Sequence, residues 1–211
     1  MTPDLPVLGI FGAGKAGTAL ARLAVAAGYR TLVTGSPRST ALDLVLGLVA
    51  PGAEAADAAT TAREADVLLL VVPFGRRAEL PVEAFDGKVV VDAMNYWPPV
   101  DGHDAAVDAD GRGTSEVVAE LNDRARWVKS FSHLGYHDME DDARPAGASD
   151  RRAVAVVGDD PEAAAAVAEV VDRLGFDPVV AAPLARGRLL EPGGPLFGLR
   201  QSAGEMAEAL A

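Results

Sequence analysis

Three glycines, Gly12, Gly14 and Gly17, stand at G-x-G-x-x-G spacing in Val7-Leu8-Gly9-Ile10-Phe11-Gly12-Ala13-Gly14-Lys15-Ala16-Gly17. The chemistry that this spacing serves is the capture of a pyrophosphate. Gly12 permits a tight turn, Gly14 lets the backbone approach the anion, and Gly17 allows a helix to pack closely on a strand. The N–H groups of the helix opened by Lys15 and Ala16 face the phosphates. The triplet alone is a weak signal; its context strengthens it. An apolar strand precedes it, and Ala16, Ala19, Leu20, Leu23, Ala24 and Ala27 follow at helical spacing until Gly28.

Other chemistries find little support. The chain has no cysteine, which removes disulfides, thiolate nucleophiles and thiolate metal sites together. His133 and His137 are four apart, but Gly135 lies between them and the remaining histidine, His103, falls in a polar stretch, so no metal site is expected. No serine occupies a G-x-S-x-G elbow. Redox work would therefore need a bound organic cofactor. A net charge of -12 argues against nucleic acid as a partner. No apolar run approaches the ~20 residues that cross a bilayer, and the start lacks a basic signal region, so a cytoplasmic location is expected.

The elements that would position the glycine turn follow in order. Arg30–Thr34 is expected to be a second strand. At its exit, where an acidic residue would bind the ribose of NAD, the chain reads Gly35-Ser36-Pro37-Arg38-Ser39. Ser36 and Arg38 suit a 2′-phosphate, so NADP(H) is expected; a solvated turn is the plainer alternative. Leu42, Val45, Leu46 and Val49 give the next helix its apolar face, and a short strand near 53–56 is expected after it. Asp66–Pro73 is an unbroken apolar run suited to a strand covered on both faces, and it places Val72, Pro73 and Phe74 beside the cofactor. Arg76 and Arg77 either reach phosphates or, more simply, face water.

Lys88–Asp92 is the fifth expected strand. Asn95 at its exit contacts nicotinamide or holds a turn. Residues 100–113 read as a surface loop, Thr114 or Ser115 as a helix cap, and Arg126–Ser130 as a sixth strand, with His133 just beyond it. An acidic, turn-rich connection over 138–151 leads to a strand at Ala153–Val157. Asp160 and Pro161 then open a helix, and a strand at Phe176–Val180 follows.

The expected fold is α/β: a Rossmann-like, doubly wound, mostly parallel sheet with a small C-terminal helical lobe. Residues 1–182 form the nucleotide-binding domain, with the strand-helix-strand unit 152–180 as its last part. Residues 183–211 form a helical extension that closes the cleft or pairs with another subunit, and a homodimer is expected.

Taken together, the residues resemble the NADPH:coenzyme F420 oxidoreductases, to which the cytoplasmic domain of six-transmembrane metalloreductases is also similar. The likeness rests on Gly9 to Gly17, on Gly35-Ser36 with a nearby arginine, and on Val128-Lys129-Ser130 followed by His133. Val156-Val157-Gly158-Asp159-Asp160-Pro161-Glu162, Pro183-Leu184 and Arg188-Leu189-Leu190-Glu191 extend it. The resemblance implies hydride transfer between nicotinamide C4 and C5 of a deazaflavin, coenzyme F420, as second substrate, with Ser130 and His133 bordering the reacting rings. Gly12, Gly14, Lys15, Ala16 and Gly17 would hold the pyrophosphate, Gly35, Ser36 and Arg38 the 2′-phosphate, and Val72, Pro73, Phe74 and Asn95 the ribose and nicotinamide. Two departures stand out. Pro37 separates Ser36 from Arg38, and Leu134-Gly135-Tyr136 replaces the threonine-isoleucine-proline that the family carries after the histidine. Flavin-mediated metal reduction, reduction of an imine-like molecule, and non-catalytic sensing of NADP(H) are the alternatives.

Overall fold

The computed structural model describes residues 5–36, 41–108 and 111–211. Eight strands form one sheet: β1 (Leu8–Phe11), β2 (Thr31–Thr34), β3 (Glu54–Ala55), β4 (Val67–Leu70), β5 (Val89–Asp92), β6 (Arg126–Ser130), β7 (Ala153–Gly158) and β8 (Asp177–Ala181). Their order is β3-β2-β1-β4-β5-β6-β7-β8. The first six strands pair in parallel, β7 runs antiparallel to β6, and β8 is parallel to β7. The terminal strand-helix-strand unit thus extends the same sheet. The winding direction reverses between β1 and β4, the crevice in which this class of sheet binds ligands.

The central strands are apolar on both faces because both faces are covered. Leu8, Ile10, Leu69, Val91, Val128 and Val156 face one core with α1 (Lys15–Ala26) and α8 (Pro161–Arg173). Phe11, Leu68, Leu70, Val90 and Trp127 face the other, with α3 (Ala58–Glu64) and α6 (Thr114–Ala119). The expected opening of α8 holds: Asp160 accepts from the N–H groups of Glu162 (2.9 Å) and Ala163 (3.1 Å), with Pro161 in the first turn.

Two expectations change. Residues 100–113 are not simply a loop: α4 (Pro98–Asp101) and α5 (Ala105–Asp108) are single turns held by carboxylates. Asp101 accepts from Trp97 N–H (2.8 Å) and Gly75 N–H (2.9 Å), and Asp108 accepts from Asp104 N–H (3.2 Å). Side-chain capping needs no apolar period, which is why periodicity missed these turns. Gly113, not Thr114 or Ser115, caps α6, because both hydroxyls are spent in the core: Ser115 donates to Asp92 (2.6 Å) and Thr114 to Glu191 (2.8 Å). The C-terminal extension packs back on the sheet. A 3-10 turn over Leu184–Leu190 and helix α9 (Ala203–Leu210) place Leu190, Leu196, Met206 and Leu210 on Ala153, Ala155 and Val157, covering the last strands.

Candidate active site

At the β1–β4 crevice the strand exits are tied by the backbone: Gly12 N–H bonds Thr34 O (2.9 Å) and Val71 N–H bonds Phe11 O (2.8 Å). Each glycine of the turn has a separate reason. Gly12 has φ +130°, and a Cβ there would lie 2.3 Å from Val71 O. A Cβ on Gly17 would lie 1.8 Å from Gly12 O, so the helix rests directly on the turn. Gly14, the residue before α1, is different: a Cβ built on it meets nothing within 4 Å. Its face is open above the first turn of a 12-residue helix, whose leading N–H groups lack intrahelical partners. The residues present here would fit a diphosphate.

A cavity of about 830 Å³ opens from that turn. Gly12, Ala13, Gly14, Val72 and Pro73 form its floor, Thr34, Gly35 and Ser36 its β2 side, and Leu42, Val45, Ala55 and Asp57 a further wall. Arg76, Glu79, Leu80 and Pro81 close the far side. Of the twelve residues placed at a nucleotide site from sequence, Gly12, Gly14, Gly35, Ser36, Val72 and Pro73 meet in this trough, whereas Lys15, Ala16, Gly17 and Asn95 do not line it. Arg38 lies outside the described residues. The α2 (Leu42–Val49) and α3 wall was not foreseen, although Asp57 three residues before Thr60 is a recognisable cap, accepting from Thr60 N–H at 2.8 Å. Arg76 lines the cavity, paired with Glu79 at 2.5 Å. Arg77 instead packs 4.2 Å from the Phe74 ring and pairs with Asp104 at 2.5 Å.

Phe74, expected beside the cofactor, is a correction. Its ring is fully buried against Tyr96, at 5.5 Å between centroids, because the 3-10 turn after Pro73 rotates it into the core.

The expected catalytic pair is a second correction. Ser130 is fully buried and donates to Ala155 O (2.7 Å), as a strand residue facing β7 must. His133 is also fully buried; burial first, then the charges of Arg152 and Lys129, pushes it down to about 3, so it is neutral at ordinary pH. Its Nε2 accepts a long bond of 3.5 Å from Ala155 N–H. Both side chains support the β6 exit from beneath, and neither can touch a substrate as they stand. Asn95 does lie at the neighbouring exit. Its amide donates to Ser132 O (2.6 Å), while Asn95 Oδ1 and Ser132 Oγ are buried without partners.

Two features escaped sequence reasoning. Lys129, read as part of a strand, is fully buried: its ammonium donates to Asp92 (3.1 Å), Met94 O (2.8 Å) and Thr114 Oγ1 (3.2 Å). A lysine between Val128 and Ser130 in the inner part of an expected strand was the available signal. Lys15, assigned to the pyrophosphate, donates from its ammonium to the Tyr136 phenol oxygen (3.2 Å), leaving its backbone N–H at the helix start for the anion. Among the described residues no three His, Cys, Asp or Glu side chains converge as a metal set, and no helix is long and apolar enough to cross a membrane.

Comparison with known proteins agrees with this geometry. No curated protein matches the chain significantly. A hypothetical protein from Sinorhizobium meliloti is 30% identical, with a TM-score of 0.80 over 95% of this chain and 97% of its own. A candidate F420-dependent NADP reductase from Arthrobacter sp. FB24 has the same fold at 21% identity, with a TM-score of 0.76 over 93% of this chain and 99% of that one. An imine reductase variant from Myxococcus stipitatus, in complex with NAD+, shares the fold at 16% identity and a TM-score of 0.61, over 88% of this chain and 58% of that one. Residues 7–96, which carry the glycine turn and the β4 and β5 exits, match the family described as NADP oxidoreductase, coenzyme F420-dependent.

Proposed function

We propose that the chain transfers hydride between NADP(H) and a deazaflavin of the coenzyme F420 type. The observation that carries this reading is the open face of Gly14 above the α1 N-terminus, continuous with a trough of about 830 Å³. Backbone N–H groups of residues 14–16 hold the diphosphate. Ser36 and Arg38 take the 2′-phosphate, since Gly35-Ser36 presents no carboxylate to repel it. Val72 and Pro73 pack on the ribose. At the β5 exit, Asn95 Oδ1, an acceptor without a partner, takes an N–H of the carboxamide and Ser132 Oγ borders it.

When bound, the dinucleotide supplies the hydride. The chain's part is to hold two flat rings with the reacting carbons ~3–3.5 Å apart and to keep water out, work that needs few ionisable groups. Buried Ser130 and His133 act here only by holding the β6 exit in shape.

Mixing the protein with NADPH and oxidised F420 should bleach the deazaflavin's visible absorbance. Unchanged absorbance at high protein concentration, with NADPH binding intact, would remove the deazaflavin and leave a reductase of another small acceptor. The residues Leu134-Gly135-Tyr136, where the family pattern changes, favour that second reading.

A further inference from the structure

The chain leaving β6 does not continue outward. Phe131, at φ +61°, is the one non-glycine residue in the left-handed region among the described residues, and Leu134 N–H then bonds Phe131 O (3.0 Å). This reversal brings Tyr136, six residues beyond β6, back to the N-terminus of α1. There the Lys15 ammonium donates to the Tyr136 phenol oxygen at 3.2 Å and stands 5.3 Å from the ring centroid. The His137 ring lies 3.9 Å from that of Tyr136. Tyr96, inside the fold, donates to the backbone at Gly102 O (2.9 Å). Tyr136 instead receives a hydrogen bond from a cation, so its own O–H proton is directed elsewhere. Lys15 is exposed and Tyr136 half-buried, so the pair meets solvent on one side. Lys15 directly follows Gly14, and Tyr136 lies four residues beyond Ser132, whose carbonyl accepts from the Asn95 amide (2.6 Å).

We propose that Tyr136, backed by Lys15, is the proton donor for reduction of a carbonyl or imine, an activity additional to deazaflavin reduction. This rests on the reading that reduced nicotinamide lies at the β5 and β6 exits. Hydride from the reduced dinucleotide forms the new C–H bond at the carbonyl or imine carbon. The π pair moves to oxygen or nitrogen, and that atom takes the phenol proton. Lys15 carries the charge left on the phenol oxygen and returns a proton drawn from solvent, so one NADPH and one proton are consumed for each alcohol or amine formed.

The test uses the full chain, the Tyr136→Phe variant, and NADPH with a panel of small aldehydes, ketones and cyclic imines. The parent should reduce at least one class, and Tyr136→Phe should lose about a hundredfold or more in kcat while keeping its melting temperature. A readout independent of turnover is calorimetry of a primary amide, an inert carbonyl mimic, on the NADP+ complex. Its affinity should fall roughly five- to tenfold in Tyr136→Phe, for one hydrogen bond lost, with NADP+ affinity unchanged. A parent that binds NADP+ but reduces nothing in the panel overturns the proposal, as does a Tyr136→Phe variant with parental kcat or parental amide affinity. Loss of NADP+ affinity in that variant overturns it too, making Tyr136 a nucleotide contact. A parent that binds no NADP+ defeats the nucleotide reading itself, a separate failure.

Discussion

Substituting alanine at Gly14 and at Gly17 should separate binding from folding, although the two glycines are three residues apart. A Cβ on Gly17 lies 1.8 Å from Gly12 O and 2.9 Å from its carbonyl carbon, whereas real Cβ contacts essentially never fall under 3.0 Å. The neighbour is backbone, so helix and turn must part by more than an ångström. Overpacking of this kind costs about 1–3 kcal/mol or more. At roughly 2–4 °C per kcal/mol for a domain of this size, the melting temperature should fall by about 2–12 °C. Gly14 has an ordinary φ of -79° and nothing within 4 Å of its Cβ, so Gly14→Ala should leave stability within about 1 kcal/mol of the parent. The new methyl instead occupies the face where the diphosphate approaches the backbone. Losing one charge-assisted hydrogen bond there costs about 1.5–3 kcal/mol, a tenfold to roughly hundredfold loss in NADPH affinity. Thermal melts and NADPH fluorescence titrations of both variants decide the matter. Parental NADPH affinity in Gly14→Ala would refute the placement of the diphosphate, and a parental melting temperature in Gly17→Ala would refute the contact between helix and turn.

Lys129→Met strands Asp92 in the core with Ser115 Oγ and Met94 N–H as its remaining donors, and should cost about 3–5 kcal/mol in chemical denaturation. Adding Asp92→Asn should recover part of that loss. His133 is held in its neutral form, down to about 3 from the usual 6.5, so the unfolded chain binds a proton that the native chain refuses. Its contribution is complete above pH 6.5 and is lost as pH falls from there toward 3, by about 1.4 kcal/mol per unit at most. The carboxylates held low by partners, such as Glu140 beside Arg22, act only below about 4.5, so His133→Phe should flatten the stability profile between pH 6.5 and 4.5. Arg38→Ala should weaken NADPH by about 1.5–3 kcal/mol and NADH little, measured as two dissociation constants; equal losses would remove the 2′-phosphate from its role.

Much of this protein was legible from local pattern. The strand-turn-helix about Gly12, Gly14 and Gly17, the apolar run of β4, and the Asp160-Pro161 helix start depend on neighbours within a few residues, and sequence carries such signals directly. So does the absence of a carboxylate at Gly35-Ser36. Partners far apart in the chain left no such trace. That β7 turns antiparallel on β6, burying Ser130 and His133 under the site instead of in it, follows from pairing across more than twenty residues. Whether Phe74 faces cleft or core depends on one 3-10 turn, and Lys129 is buried because Asp92, Met94 and Thr114 supply its hydrogen bonds. The meeting of Lys15 with Tyr136 spans 121 positions. Backbone propensity and period act over a turn or two of chain, whereas burial and side-chain pairing are set by which strands become neighbours. The sequence alone therefore determined the strand-turn-helix at which the trough opens, and the tertiary structure decided which side chains reach it.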